Sequence, residues 1–370
     1  MGILFSEQPQ EEFSVFEIPP LEKHFETSED TYKYCSQLDA YKLDVTEFGL
    51  SHNTYTEEAM ESLAETIQEC PNINTANLSH IFAEWDEMSS PRILDILAKT
   101  LLGFRELREL DLSNNFLVQQ SMDTIGFLLE NTPTLKTLKL DFNPLGTEGS
   151  LALSEALKNA KELKLHALSM EKCSIGDKGA VAISNAFEDM RSLREINFSW
   201  NDIKKQGIVS LCRGLAFNEK IQILKLEGNY INESCAYSAL AKVSRGLKYL
   251  SILACGDACL GNSGIKGILS SLGSSDHLLE LHIEYNDVDQ NDIGEEVIAL
   301  ILKHKALEII DISGYDFSIE TIERIKEAAN RNDRDLKIIY EDKDNCSTSD
   351  FPPLDNNDSV VGGIYLDEIT

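Results

Sequence analysis

Apolar and polar residues alternate in short bursts along this chain, and the bursts share one ending. The runs FGLSHN, LDLSNN, LKLDFN, INFSWN, LKLEGN and LHIEYN close on Asn53, Asn115, Asn143, Asn201, Asn229 and Asn286. Weaker copies are ANLSHI ending at Ile81, LSMEKC ending at Cys173 and IDISGY ending at Tyr315. A degenerate copy around Leu250-Ser251-Ile252 ends at Cys255. A further leucine stands upstream of most copies, as at Leu107, Leu135, Leu193, Leu247, Leu278 and Leu307. An apolar–polar–apolar triplet reads as a strand with one buried face, because successive strand side chains point to opposite sides. The following Asn or Cys is predicted to turn inward and bond backbone groups of the turn that would otherwise be buried unpaired. One such Asn would mean little, but about ten copies in register define the L-x-x-L-x-L-x-x-N/C leucine-rich repeat.

Each burst runs on into a helical pattern. After Asn143 the apolar stripe is Leu151, Leu153 and Leu157; after Cys173 it is Val181, Ile183 and Phe187; after Asn201 it is Ile208, Leu211 and Leu215. Each unit is therefore strand, turn, helix and return loop. Stacked units of this length predict an α/β solenoid, a horseshoe with parallel strands on the concave face and helices on the convex face. About ten units fit between residues 38 and 315. Residues 318–330 (SIETIERIKEAAN) form a last helix, and LKIIY at 336–340 a final edge strand. The expected organisation is an acidic capping segment over 1–37, the solenoid with its C-terminal cap over 38–340, and a tail over 341–370. That tail is rich in Asp, Asn, Ser and Pro and is expected to be disordered. Glycines 149, 179, 207 and 264 recur near helix starts, where a bulkier side chain would crowd the neighbouring unit. They read as packing residues, since no G-x-x-x-x-G-K-[ST] accompanies them.

The array has one interruption. Residues Ser79 to Pro91 read SHIFAEWDEMSSP and carry about half a dozen residues more than the repeat requires.

Charge narrows the class of partner. The 370 residues hold 33 Lys and Arg against 63 Asp and Glu, a net charge of −30. Such a chain repels phosphate backbones and anionic lipid, so nucleic acid is not an expected ligand and a basic protein is. No apolar run approaches the ~18 residues that suggest a membrane span, so no stable membrane insertion is expected. The start, MGILFS, fits the M-G-x-x-x-[ST] pattern for N-myristoylation, but no basic cluster follows it. Eight scattered cysteines read as reduced thiols of a cytosolic protein. The seven histidines show no H-E-x-x-H spacing, and Cys255-Gly-Asp-Ala-Cys259 offers two ligands where a zinc finger needs four. The reading is of no metal, no cofactor, no active site of its own and a monomer.

Candidate contact residues come from the end of each strand. The residue before the ladder position is expected to project along the rim, which places Asn114, Phe142, Lys172, Trp200, Gly228 and Tyr285 on one line. Large exposed aromatics are typical anchors of protein contacts. The position before that carries Asp141, Glu171, Glu227 and Glu284, an acidic row beside the aromatic one.

The opening units resemble a known family. EFGLSHNTYTEEAMESLAETI, LSHIFAEWDEMSSPRILDILAKTLL, LDLSNNFL and LKLDFNPLGTEG are similar to the first four repeats of the Ran GTPase-activating proteins, leucine-rich horseshoes with an acidic C-terminal tail. The resemblance extends over about residues 38–330. It implies that the insertion in the second unit is a functional loop beside a bound Ran-like GTPase. The chain would bind the GTP form and orient the hydrolytic site supplied by the GTPase. It also implies the cytoplasm and the nuclear envelope as the place of action. The loop residues would be Glu84, Trp85, Asp86 and Glu87, with Arg92 as the nearest arginine. Trp85 stands where the family carries an arginine. Phe142 stands where it carries an asparagine, with the ladder residue Asn143 retained. The alternative is a non-catalytic protein-binding scaffold of the ribonuclease-inhibitor type, which also has long helical repeats.

Overall fold

The computed structural model describes residues 14–82, 90–273, 277–288, 293–331 and 336–340. Among them, twelve three-residue strands form one parallel sheet in which every strand pairs with its sequence neighbours. The sheet starts at Val15–Glu17 and ends at Lys337–Ile339, the edge strand expected from LKIIY. A second, two-stranded sheet pairs His24–Phe25 with Thr54–Tyr55. The middle residue of each main strand faces the core and lies in register with its counterparts: Leu110 with Leu138, Leu138 with Leu168, Leu168 with Ile196, Ile196 with Leu224. A slip of one residue would turn this whole apolar column to solvent, so register is strongly specified.

Among the described residues, eleven α-helices lie on the other side, each packed on the helices of adjacent units. Helices stack about 10 Å apart where strands pair at about 4.8 Å, so the sheet takes the inner curve. The helix over residues Lys205–Leu215 buries Ile208, Leu211 and Leu215 completely, as its spacing predicts. The stripe expected in Gly146–Asn159 is partly wrong. Leu153 and Leu157 are buried, but Leu151 is 44% exposed. Two residues subtend about 200° on a helix, so Leu151 cannot share a face with Leu153. Ser150 and Ser154 occupy the buried face instead, Ser154 Oγ donating to the Ala182 carbonyl of the next unit at 2.6 Å. Glycine at helix starts is a packing requirement: a Cβ on Gly207 would lie 2.4 Å from Ile203 Cγ2 and 2.7 Å from Asp177 Oδ1. The same Asp177 oxygen accepts from the Lys204 and Gly207 amides, capping the helix of the following unit.

The expected boundary at 37/38 falls inside the helix Ser28–Tyr41, and the strand Val15–Glu17 already belongs to the main sheet. Residues 1–13 and 341–370, including the myristoylation pattern and the acidic tail, lie outside the described residues.

The ladder carries the predicted role. Asn143 is fully buried. Its Oδ1 accepts from the Asn115 and Leu117 amides at 2.9 and 3.0 Å, and its Nδ2 donates to the Leu112 and Leu140 carbonyls at 3.0 and 2.8 Å. One amide thus bonds four backbone groups across two units. The two carbonyls also accept from Asn115 Nδ2 and Cys173 Sγ, whereas the two amides rely on Asn143 Oδ1, and burial would leave them unpaired at a cost of about 1–3 kcal/mol each. Where Asn is missing, other donors step in. Cys173 Sγ donates to the Leu140 carbonyl at 3.1 Å, and burial pushes its thiol up to about 12, which keeps the proton on it. Tyr315 Oη donates to the Ile283 carbonyl. Ile81 has nothing to donate, and the Tyr55 hydroxyl bonds the Leu50 carbonyl at 3.0 Å, the group a ladder side chain at 81 would reach.

The degenerate unit corrects the sequence reading. Leu253, not Leu250, is in register with Leu224 and Leu281. The ladder position is therefore Ala258, whose amide donates to Asn286 Oδ1 at 3.0 Å, and Cys255 is a core residue equivalent to Leu226 and Ile283.

Candidate functional site

The chain must reverse direction sharply after each strand so that the ladder side chain enters the core. It does so through a left-handed residue just before the ladder position. Asn114, Phe142, Lys172, Trp200 and Tyr285 have φ between 51° and 59°. His52, His80 and Asp257, which the sequence reading did not include, take the same conformation, as do Gly228 and Gly314. Non-glycine residues there cost about 1–2 kcal/mol each, and the surrounding bonds hold them. The amides of Asn114, Phe142, Lys172 and Trp200 donate to the carbonyls of Asp141, Glu171, Ser199 and Glu227 in the next unit at 2.7–3.0 Å. The predicted line of side chains is thus a backbone-anchored ridge.

Three large aromatics stand on it: Phe142 is 47% exposed, Trp200 44% and Tyr285 52%. Lys172 bridges the first two, with Nζ 5.0 Å from the Phe142 ring and 5.9 Å from that of Trp200. Such cation–π contacts contribute about 0.5–1 kcal/mol at exposed sites. Trp200 lies flat over the next unit, where a Cβ on Gly228 would come within 2.3 Å of its indole. Tyr285 lies over Gly314 in the same way, at 2.4 Å. Glycine in these two units lets the aromatic of the preceding unit fold down onto the backbone. At the N-terminal end the ridge is made of His52 and His80, whose rings meet at 5.0 Å.

The acidic row sits beside the ridge, but the carboxylates of Asp141, Glu171 and Glu227 are engaged in the scaffold. Asp141 Oδ1 accepts from Ser169 Oγ and from the Glu171 amide, both at 2.6 Å. Glu171 accepts from Asn197 Nδ2, and Glu227 from Ser199 Oγ, each at 3.1 Å. Burial pushes the carboxyl groups of Asp141 and Glu284 above the ordinary range; hydrogen bonds from Ser169 and the Glu171 amide partly offset this at Asp141. The row therefore positions neighbours as well as presenting charge.

Below the ridge, the central strands line a shallow depression of about 180 Å³ with small and polar side chains, among them Thr137, Ala167, Ser169 and Asn197. Arg92 lies elsewhere: it is in the first turn of the helix Ser90–Leu101 and pairs with Glu57 at 3.2 Å. Glu84, Trp85, Asp86 and Glu87 lie outside the described residues. The ends of the insertion are placed, however. Thr75–Asn77 pairs in register with Glu109–Asp111 although 34 residues separate Thr75 from Glu109, where 28 separate Glu47 from Thr75. In sequence, the extra length falls between the ladder position Ile81 and the helix Ser90–Leu101.

Comparison with known proteins agrees with this architecture. Models of the Leucine Rich repeat match residues 106–128, 132–154, 163–184 and 189–212. The chain is 24% identical to mouse (Mus musculus) ribonuclease inhibitor over 258 residues, 68% of this chain and 56% of that protein. It is 34% identical to human (Homo sapiens) NACHT, LRR and PYD domains-containing protein 14 over 144 residues, 38% of this chain and 13% of that one. The matched region thus spans about half of the inhibitor and a small part of the second protein. Among solved structures, one of the Rad7 and Elc1 complex in yeast superposes with a TM-score of 0.54 at 17% identity, covering 83% of this chain and 77% of that one. Strand register, side-chain ladder and these similarities together make the chain an α/β leucine-rich repeat solenoid, similar over 258 residues to ribonuclease inhibitor.

Proposed function

We propose that this solenoid is a protein-binding scaffold whose contact surface is the rim ridge and whose partner is a basic protein. The observation that carries the reading is the row Phe142–Lys172–Trp200, with Tyr285 further along. These large side chains are held half exposed on one line by left-handed backbone that an ordinary turn would fill with glycine. Aromatics preset in this way lose little freedom on binding, which is what contact anchors need. The similarity to a protein named ribonuclease inhibitor supports a role in binding another protein. The net charge of −30 favours a basic partner. The test is affinity capture by the full chain beside its Trp200→Ala and Phe142→Ala variants. Loss of at least about tenfold in the retained partner supports the ridge; equal capture by all three removes it.

A second reading has its own support in the insertion at the second unit. It follows the rim residue His80 and the ladder position Ile81 in sequence, and the strands before and after it pair in register. In this reading the chain is a GTPase-activating protein for a Ran-like GTPase. Glu84–Glu87 and the strand end Asp141–Phe142 contact the GTP form and orient its hydrolytic site, while the buried Asn143 holds that strand end in place. Phosphate release from GTP-loaded Ran, followed with and without the purified chain, decides it. Stimulation supports activation; binding without stimulation leaves a degenerate activator; no binding at low salt leaves the scaffold reading alone. Trp85→Arg combined with Phe142→Asn, which places the family's residue types at these two positions, is expected to raise stimulation.

A further inference from the structure

At the C-terminal end of the concave face, two adjacent strands bring together a set of donors that the ridge does not use. His282 ends the strand Glu280–His282, and its register partner on the next strand is Asp311. Glu284 follows two residues after His282, so period-two alternation returns it to the same face. A ring nitrogen of His282 and carboxylate oxygens of Glu284 and Asp311 all lie within 4.8 Å of one another, and all three side chains are half-buried. The surroundings hold them in place. His282 Nε2 is 3.2 Å from Glu280 Oε2, the carboxylate–imidazole pairing that orients metal-bound histidines and makes the other ring nitrogen a better donor. Asp311 Oδ1 accepts from the Ser313 amide at 2.9 Å, which fixes its carboxylate.

Glu284 supplies a second, separate indication. Its Oε2 is shielded from solvent and has no hydrogen-bond partner. A buried carboxylate oxygen without a partner is costly and calls for a proton or a cation. Among the described residues, neither Glu284 nor Asp311 forms an ion pair with lysine or arginine. The preceding unit has Ala254 and Gly256 at the facing positions, and a Cβ on Gly256 would come within 1.9 Å of Glu284 Oε1. The degenerate unit thus opens the space into which the Glu284 carboxylate folds.

We propose that His282, Glu284 and Asp311 form a binding site for a divalent transition-metal ion of the zinc class, with Glu280 as a positioning residue. One imidazole and two carboxylates suit zinc, whereas magnesium and calcium favour sites made wholly of oxygen. Three protein ligands leave at least one coordination position for water. All three ligands sit on or beside paired strands, so the ion needs only side-chain rotation to close the set. No ligand spacing along the chain marks this set, because it crosses two units.

The test is calorimetric titration of the metal-stripped full chain with zinc chloride, and separately with magnesium and calcium chloride. One zinc ion per chain is expected, bound at least about 100-fold more tightly than magnesium. His282→Ala and Asp311→Asn should each weaken zinc binding by at least about tenfold. Glu280→Gln should weaken it by about tenfold with the stoichiometry kept. Circular dichroism of the metal-free variants establishes that they are folded. Asp311→Asn keeps an acceptor for the Ser313 amide and serves if the alanine variant is not folded. Absence of saturable zinc binding overturns the proposal. So does zinc affinity unchanged in the two ligand variants, which would put the ion at the thiols or the tail, and so does equal affinity for magnesium.

Discussion

Trp200 and Gly228 show how one residue pair shapes the surface. Gly228 has φ of +64°, and its hydrogen faces the indole of Trp200. Gly228→Ala adds left-handed strain of about 1–2 kcal/mol and pushes the indole off the backbone. The expected result is a loss of about 2 kcal/mol in chemical denaturation, with a changed tryptophan emission. The variant is best made in a Trp85→Phe background, so that the emission reports on Trp200 alone. Asp141 makes a second prediction, through pH. Burial lifts its folded carboxyl above the ordinary value, so the folded chain holds that proton more tightly than the unfolded one. The ionised group therefore opposes folding at neutral pH, and that opposition fades as pH falls through the raised value. Asp141→Asn, which keeps an acceptor for Ser169 and the Glu171 amide, should gain stability relative to wild type at pH 7. The gain should shrink as the denaturation is repeated at progressively lower pH. A difference independent of pH would show that the charge is not what burial acts on.

At the level of the repeating element, the ladder makes a graded prediction. Asn143→Ala removes the acceptor of two buried amides and one of two donors from each of two buried carbonyls, and should cost more than about 3 kcal/mol in urea denaturation. Cys173→Ala loses mainly the bond to the Leu140 carbonyl and should cost about 1 kcal/mol. Equal losses would mean that the two side chains only fill space. Most of this element was legible in the chain, because leucine and asparagine recur together with a fixed offset. The degenerate unit was not. LKYLSILACGDACL contains two overlapping apolar alternations, one through Leu250 and Ile252 and one through Leu253 and Cys255. Only pairing with Leu224 and Leu281 selects the second. Leu151 was misread for a different reason: a helix has a direction of burial as well as an apolar count, and residues 151 and 153 cannot both face inward.

For the whole molecule, stability and recognition are separable. The six residues Glu84–Ser89 match the excess of the 75-to-109 spacing over the usual 28, and the strands around them pair in register without a bulge. Deleting 84–89 should therefore change the denaturation free energy by no more than about 1 kcal/mol, because loop length enters only logarithmically. If partner binding is lost in that variant while stability is kept, the insertion is a contact loop. A net charge of −30 further predicts that the association rate with a basic partner falls steeply as ionic strength rises, while the dissociation rate changes little. Stopped-flow measurements at low and high salt check this.

The repeat, its strand-and-helix content, the closing helix and edge strand, the ladder outside the degenerate unit, and the rim positions from Asn114 to Trp200 with Gly228 and Tyr285 were determined by the sequence alone. Each follows from local periodicity and from a backbone need that recurs in every unit. Tertiary structure decided what depends on the neighbouring unit. It selected the register of the Leu253 strand and set the Trp200 indole on Gly228. It also tied Asp141, Glu171 and Glu227 into the scaffold and carried Asp311 to His282 and Glu284. Residues about 28 positions apart become neighbours only when the units stack, and no pattern within one unit records which side chains will then meet.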